Sequence, residues 1–157
     1  MKINYSFTKL SLVVLASIMS LTACSFLYFY RSINELPGMQ WEKKSVQTFE
    51  VIIEKDIVLD GIFVIRHVYG FSYPEIKVSY KLSKDGEDLE NRTMTVPIKD
   101  QHGDYVGEGS VDLWDVNYPF FENVQFEPGT YVFQFSHEMQ RDPLPLIMDV
   151  GLILEKE

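Results

Sequence analysis

The stretch EIKVSYKLS, residues 75–83, alternates strictly: Ile76, Val78, Tyr80 and Leu82 fall on one side of an extended chain, and Glu75, Lys77, Ser79 and Lys81 on the other. A strand with one dry side and one wet side belongs to a sheet that covers a core on one face only. The flanking sequence repeats the signal. Upstream, SVQTFEVIIEKD (45–56) places Phe49, Val51 and Ile53 together, and GIFVIRHVYG (61–70) is almost continuously apolar and β-branched, as a mid-sheet strand would be. Downstream, KDGEDLEN (84–91) offers the hairpin pair Asp85-Gly86, and RTMTVPI (92–98) reads as a strand whose Pro97 marks an end or an edge. VDLW (111–114), NVQF (123–126), YVFQFSHEM (131–139) and IMDVGLILEK (147–156) complete the set.

About eight short strands separated by turns, with no amphipathic helix between them, predict an all-β fold. The expected architecture is an antiparallel β-sandwich, jelly-roll-like, formed by residues 41–157 as a single domain and preceded by an N-terminal signal helix. No internal repeat is present.

The first 23 residues read differently. MKINYSFTK (1–9) is short and basic, LSLVVLASIMS (10–20) is apolar, and LTAC (21–24) ends in the chain's single cysteine. That order is a secretory signal. Leu21, Thr22, Ala23 and Cys24 resemble the bacterial lipobox, in which the cysteine thiol is acylated and the peptide before it removed, so residues 1–23 are expected to be a lipoprotein signal peptide and 24–40 an acylated tether. Several acyl chains on Cys24 would hold the protein to a membrane durably, because each buried methylene contributes roughly 0.8 kcal/mol and one chain alone binds only reversibly. The rival is an uncleaved spanning helix, since the 21 positions between Lys9 and Arg31 carry no charge; FLYFY (26–30) would then be an interfacial aromatic belt. Both readings export the acidic part. Ser25 follows the cysteine without the Asp that marks inner-membrane retention, and no acidic surface-export tag follows, so an outer-membrane anchor with a periplasm-facing domain is expected.

Charge narrows the partners. The chain carries −9, and all 23 acidic residues lie beyond position 23, whereas Lys2 and Lys9 lie before it. Such a surface repels phosphates, so nucleic acid is not expected as a partner and anionic headgroups are not sought directly. One cysteine allows no intrachain disulfide and no multi-thiolate zinc site.

Catalytic signals are weak. HEMQR (137–141) starts like a metalloprotease HExxH, but Arg141 stands where the second His must be, in a strand-and-loop context. His67 and His102 are isolated in sequence, and the acidic runs DGEDLE and KDQHGD lack calcium-loop spacing and read as solvated turns. No nucleophile elbow, P-loop or dinucleotide fingerprint occurs. No catalytic residue, cofactor or metal is expected, and the chain is not read as an enzyme.

Two stretches invite a partner reading. In LWDVNYPFFENVQF (113–126), YPFF is expected to interrupt the strand, so that Trp114, Tyr118, Phe120, Phe121 and Phe126 cannot all turn inward. The plainer expectation is a sandwich corner plugged by aromatics; the sharper one makes Trp114, Tyr118 and Phe121 partner contacts. Arg141, in QRDPLP, either pairs with Asp142 or another carboxylate or faces a partner.

The closing run GTYVFQFSHEMQRDPLPLIMDVGLILEK, with YRSI, Trp41, GFSYPEIKVSYKL and KDQHGDYVGEGSVDLWD, resembles the gliding-motility lipoprotein family GldH of the Bacteroidetes from about Tyr30 to Lys156, with the lipobox in place. It departs from the family pattern at Tyr105, at Gln140 and at Leu146, as a divergent member. The resemblance implies a non-enzymatic, membrane-anchored component of surface gliding and of the associated type IX secretion machinery, with protein partners and no catalytic residues. The expectation from another class is a sandwich that binds a carbohydrate or small ligand through aromatic platforms.

Overall fold

The computed structural model describes residues 28–156. Its strands are Tyr28–Glu35 (β1), Gln40–Trp41 (β2), Gln47–Ile53 (β3), Ile57–Val68 (β4), Glu75–Lys84 (β5), Glu87–Pro97 (β6), Glu108–Ser110 (β7), Leu113–Phe126 (β8), Gly129–His137 (β9), Leu144–Pro145 (β10) and Ile147–Lys156 (β11). Eight of them have seven residues or more. A single 3₁₀ turn, Pro37–Met39, is the one helical element among the described residues. The signal helix expected over residues 1–23 lies outside them.

Two antiparallel sheets form. The five-stranded sheet has the order β1-β11-β4-β8-β7 and the four-stranded sheet β3-β9-β5-β6, while β2 and β10 pair beside them. The fold is the antiparallel sandwich expected from the alternation. β4 lies mid-sheet between β11 and β8, and β6 is an edge strand that ends at Pro97, which cannot donate to a ladder. Asp85 and Gly86 both take positive φ, 51° and 89°, as a two-residue hairpin turn with right-handed strand twist requires.

The core is aromatic. Ile76, Val78 and Tyr80 are fully buried, together with Phe133 and Phe135 of β9 and Phe63 and Ile65 of β4. Phe63 and Phe135 meet across the two sheets with ring centroids 4.8 Å apart, and Tyr80 stacks on Phe135 at 5.6 Å. Trp41 closes one end, its Nε1–H donating to the Ser45 carbonyl at 3.0 Å.

Two expectations are corrected. The tether expected over 24–40 does not extend past residue 27, because Tyr28–Glu35 is a full edge strand paired with β11 from Tyr28↔Glu155 to Glu35↔Asp149. Its sequence, YFYRSINE, has no clean alternation, which hid the strand. The break expected at YPFF is also absent: β8 runs unbroken from Leu113 to Phe126. Register shifts against β4 between Leu59 and Gly61, and again between Gly61 and Ile62, absorb the misfit.

Candidate functional site

Strand β8 carries three of the four residues singled out for partner contact. Trp114 pairs with His67 and Tyr118 with Phe63, both inward positions of β4, so their rings turn toward the core at the sheet's edge. The second register shift lets consecutive residues point the same way. Phe120 packs edge-on against Tyr80 at 5.0 Å, and Phe121 stacks with Phe133 at 6.4 Å and lies across Gly61, where any side chain would collide with its ring. Phe120 and Phe126 belong to the core, and Tyr118 and Phe121 pack against it. Trp114 covers Gly109 and packs at a tilt against Tyr105 at 5.4 Å, and with Tyr69 and Tyr105 it lines a surface cavity. Arg141 is exposed in the loop before β10, and its neighbour Asp142 accepts from the Lys43 backbone N–H at 3.0 Å. The structure does not gather the four residues at one surface.

Strand direction gives the sandwich two different ends. Tyr28 sits at the same end as the C-terminus of β11 and the turns after β3, β5 and β8. Those connections, residues 54–56, 85–86 and 127–128, carry four acids and one lysine, and β6 opens beside them with two more acids, Glu87 and Asp88. At the opposite end Tyr69 and Val111 are 66% and 88% exposed, and the Tyr69 N–H donates to the carbonyl of Asp112, the residue after Val111, at 2.8 Å. Behind them Tyr105 packs on buried His67 at 4.8 Å, and its hydroxyl donates to the Phe71 carbonyl at 2.9 Å. His67 donates from Nδ1 to the Val68 carbonyl and His137 from Nε2 to the Trp41 carbonyl, each leaving its other ring nitrogen buried without a partner. Burial lowers both pKa values, so both rings are neutral.

The most developed surface feature is on the outer face of the five-stranded sheet. A groove of about 380 Å³ runs across it, with Val64 and Ile153 as its floor and Tyr28 and Arg31 at the anchor-side end. Gly151, between them on β11, has no side chain to raise, and Ile33 of β1 lies over it. Above the floor a charged row crosses the sheet in register: Glu35, Asp149, Arg66, Asp115 and Glu108. Arg66 holds Asp115 bidentately, Nε to Oδ1 at 2.6 Å and Nη2 to Oδ2 at 2.8 Å, and reaches Asp149 Oδ2 through Nη1 at 3.1 Å. Its pKa is raised, chiefly by the Asp115 hydrogen bonds. The Asp149 carboxyl is pushed up: burial outweighs the attraction of Arg66, and Glu35 adds repulsion. Sequence reading missed this row because its members lie on five strands. The available signal was that Arg66 and Asp149 are each a lone charge inside an apolar strand, where a charge survives only with a partner.

A family model described as GldH lipoprotein matches residues 28–154, nearly the whole described chain. The chain belongs to the GldH lipoprotein family. GldH membership makes it a gliding-motility-associated lipoprotein, lipid-anchored in the cell envelope. No curated protein matches. Among solved structures, dimeric latent PorU from Porphyromonas gingivalis is similar at TM-score 0.36 and 10% identity, over 87% of this chain and 13% of that one. An infectious bursal disease virus structure, Gt strain, is similar at TM-score 0.34 and 14% identity, over 82% of this chain and 30% of that one. Neither likeness bears on what this GldH protein does. No helix among the described residues is long and apolar enough to cross a membrane, and no cluster of metal-ligating side chains occurs among them.

Proposed function

We propose that this GldH-family chain is a non-enzymatic assembly component of the gliding-motility and type IX secretion machinery, tethered to the outer membrane through acylated Cys24 with its sandwich facing the periplasm. The observation that carries the reading is the family match over residues 28–154, which begins four residues beyond the LTAC signal. Lipid anchoring supplies the attachment that an acidic surface does not seek. The domain then contributes surface, and the outer-face groove is the part of that surface built for contact.

The test is Cys24→Ser in the full chain. The expected result is an uncleaved, unacylated protein by mass spectrometry, absent from the outer-membrane fraction and unable to restore gliding or secretion to a strain lacking the gene. A variant that keeps its place and restores both would overturn the proposal. Protease shaving of intact cells checks the orientation: digestion before lysis would contradict a periplasm-facing domain.

A further inference from the structure

We propose that the outer-face groove of the five-stranded sheet docks an extended, basic segment of a protein partner, which lays an apolar residue on Val64 and Ile153 and sets a Lys or Arg against the Glu35–Asp149–Asp115–Glu108 row. This deepens the reading of the chain as an assembly component and rests on it.

Charge complementarity names the occupant. Four carboxylates cross the sheet around a single guanidinium, and Arg66 gives both of its parallel contacts to Asp115, leaving Asp149 one bond at 3.1 Å. The Asp149 side chain is only 9% exposed, and among the described residues that is its one side-chain hydrogen bond. Asp149 thus lines the groove with one oxygen bonded to Arg66 and the other open to an incoming donor, in a row where carboxylates outnumber the guanidinium. Glu35 and Glu108 stand exposed at the two ends of the row, where they steer a positive segment into register. The floor is apolar and shallow, Val64 and Ile153 being buried in the free chain down to a thin strip, and its volume of about 380 Å³ takes a few side chains and no folded domain. Arg31, at the far end, repels a second positive charge there and so sets the direction in which a basic segment lies.

Position supports the same occupant. The groove opens at Tyr28, four residues from Cys24, so an anchored chain holds it within about 14 Å of the acylated residue at full extension. A segment laid along the groove then runs from that anchor-side end to the charged row, seven residues farther along β1 at Glu35 and away from the anchor. A second copy of this chain, with its net charge of −9, offers the wrong sign.

The experiment places a photo-crosslinking residue at Asn117, which lines the groove, in the full-length lipoprotein in its own membranes, with Thr95 on the outer face of the four-stranded sheet as the control position. The expected adduct forms from position 117 and not from 95, and its sequenced peptide carries Lys or Arg. An eight-residue peptide alternating Lys and Val competes with it, and one alternating Glu and Val does not. The double variant Glu35→Lys, Glu108→Lys, whose two sites are exposed and whose melting temperature is checked first, lowers the yield about tenfold. An adduct to lipid, to a second copy or to a segment without basic residues overturns the inference, as does equal yield from the charge-reversed chain. If that double variant restores gliding and secretion while Cys24→Ser does not, the groove fails and the assembly reading stands. If Cys24→Ser also restores them, the assembly reading itself fails.

Discussion

Gly61 and Phe121 are one feature built from two residues. The Phe121 ring occupies the space a side chain at 61 would need, so the glycine exists for the ring and the ring seals the glycine. Gly61→Ala is expected to destabilise the fold by about 1–3 kcal/mol, the usual cost of overpacking, read as a lowered urea midpoint. In a Phe121→Ala background the same change costs far less, because the obstruction is gone; strictly additive effects would refute the coupling. The buried histidines make a separate claim about pH. His67 and His137 are held below the ordinary value of 6.5 by burial, so the proton prefers the unfolded chain. Their share of stability is complete above that value and is lost as pH falls through the folded values. Asp149 has the opposite sign: its carboxyl is held above 3.8, so its contribution is full below that value and lost as pH rises through the folded one. Between pH 7.5 and 5 the histidines therefore set the trend. Urea midpoints are expected to decline over that interval, and to decline less in His67→Phe, which removes one titrating ring from an aromatic setting; parallel curves for the two proteins would contradict this.

At the level of elements, β8 shows what alternation can and cannot reveal. Residues 75–83 disclose a strand because each side chain has one job, core or solvent, and the period of two follows. In β8 the backbone inserts residues relative to β4, so the period resets twice and a continuous strand of 14 residues reads as two short strands, VDLW and NVQF, with a break between them. β1 failed for the mirror reason. It is an edge strand beside β11, half-buried along one face, where Tyr30, Ser32 and Asn34 are mostly polar, while the exposed face sets Ile33 between Arg31 and Glu35, so neither face reads as apolar. The groove was less visible still, since Arg66, Asp115 and Asp149 meet only once β4, β8 and β11 are laid in register. Strand identity is a local property of the chain; a row across a sheet is not. The first irregularity in β8 has a specific support. Asn123 adopts φ 53°, a left-handed conformation Asn tolerates, and its backbone N–H donates to Asp60 Oδ1 at 2.7 Å. Asp60→Ala is expected to cost about 1 kcal/mol through that lost hydrogen bond. Asn123→Gly is expected to be tolerated, and Asn123→Val to be the most damaging of the three, because a β-branched residue resists positive φ. Thermal denaturation of the three variants gives the ranking, and an equal loss at each site would show that the backbone there is under no special constraint.

For the whole molecule, the polarity of the sandwich and the position of the anchor work against each other. The strand that follows the cysteine enters at the end whose connections carry four acids and one lysine, with Glu87 and Asp88 beside them, so the lipid proposed on Cys24 brings a negative end of the domain nearest the headgroups. With at most three residues between Cys24 and Tyr28, that end stays within about 14 Å of the acylated residue. The distance is comparable to the Debye length of roughly 8 Å at physiological salt, so repulsion from anionic lipid is felt there and is screened only in part. Attachment is then all lipid and no surface charge, while the exposed Tyr69 and Val111 point away from the bilayer at the other end. The consequence is measurable with vesicles. Protein trimmed to residues 24–157 with Cys24→Ser, which lacks the apolar signal, is expected to stay at the bottom of a flotation gradient with vesicles containing 30% anionic lipid, at 20 mM and at 150 mM salt alike, whereas acylated protein floats in both. Raising salt helps the unacylated chain not at all, because screening removes a repulsion without adding an attraction. Flotation of the signal-less Cys24→Ser protein with anionic vesicles at low salt would mean that the surface binds the membrane by itself, and the division of labour between lipid and β-sandwich would be wrong.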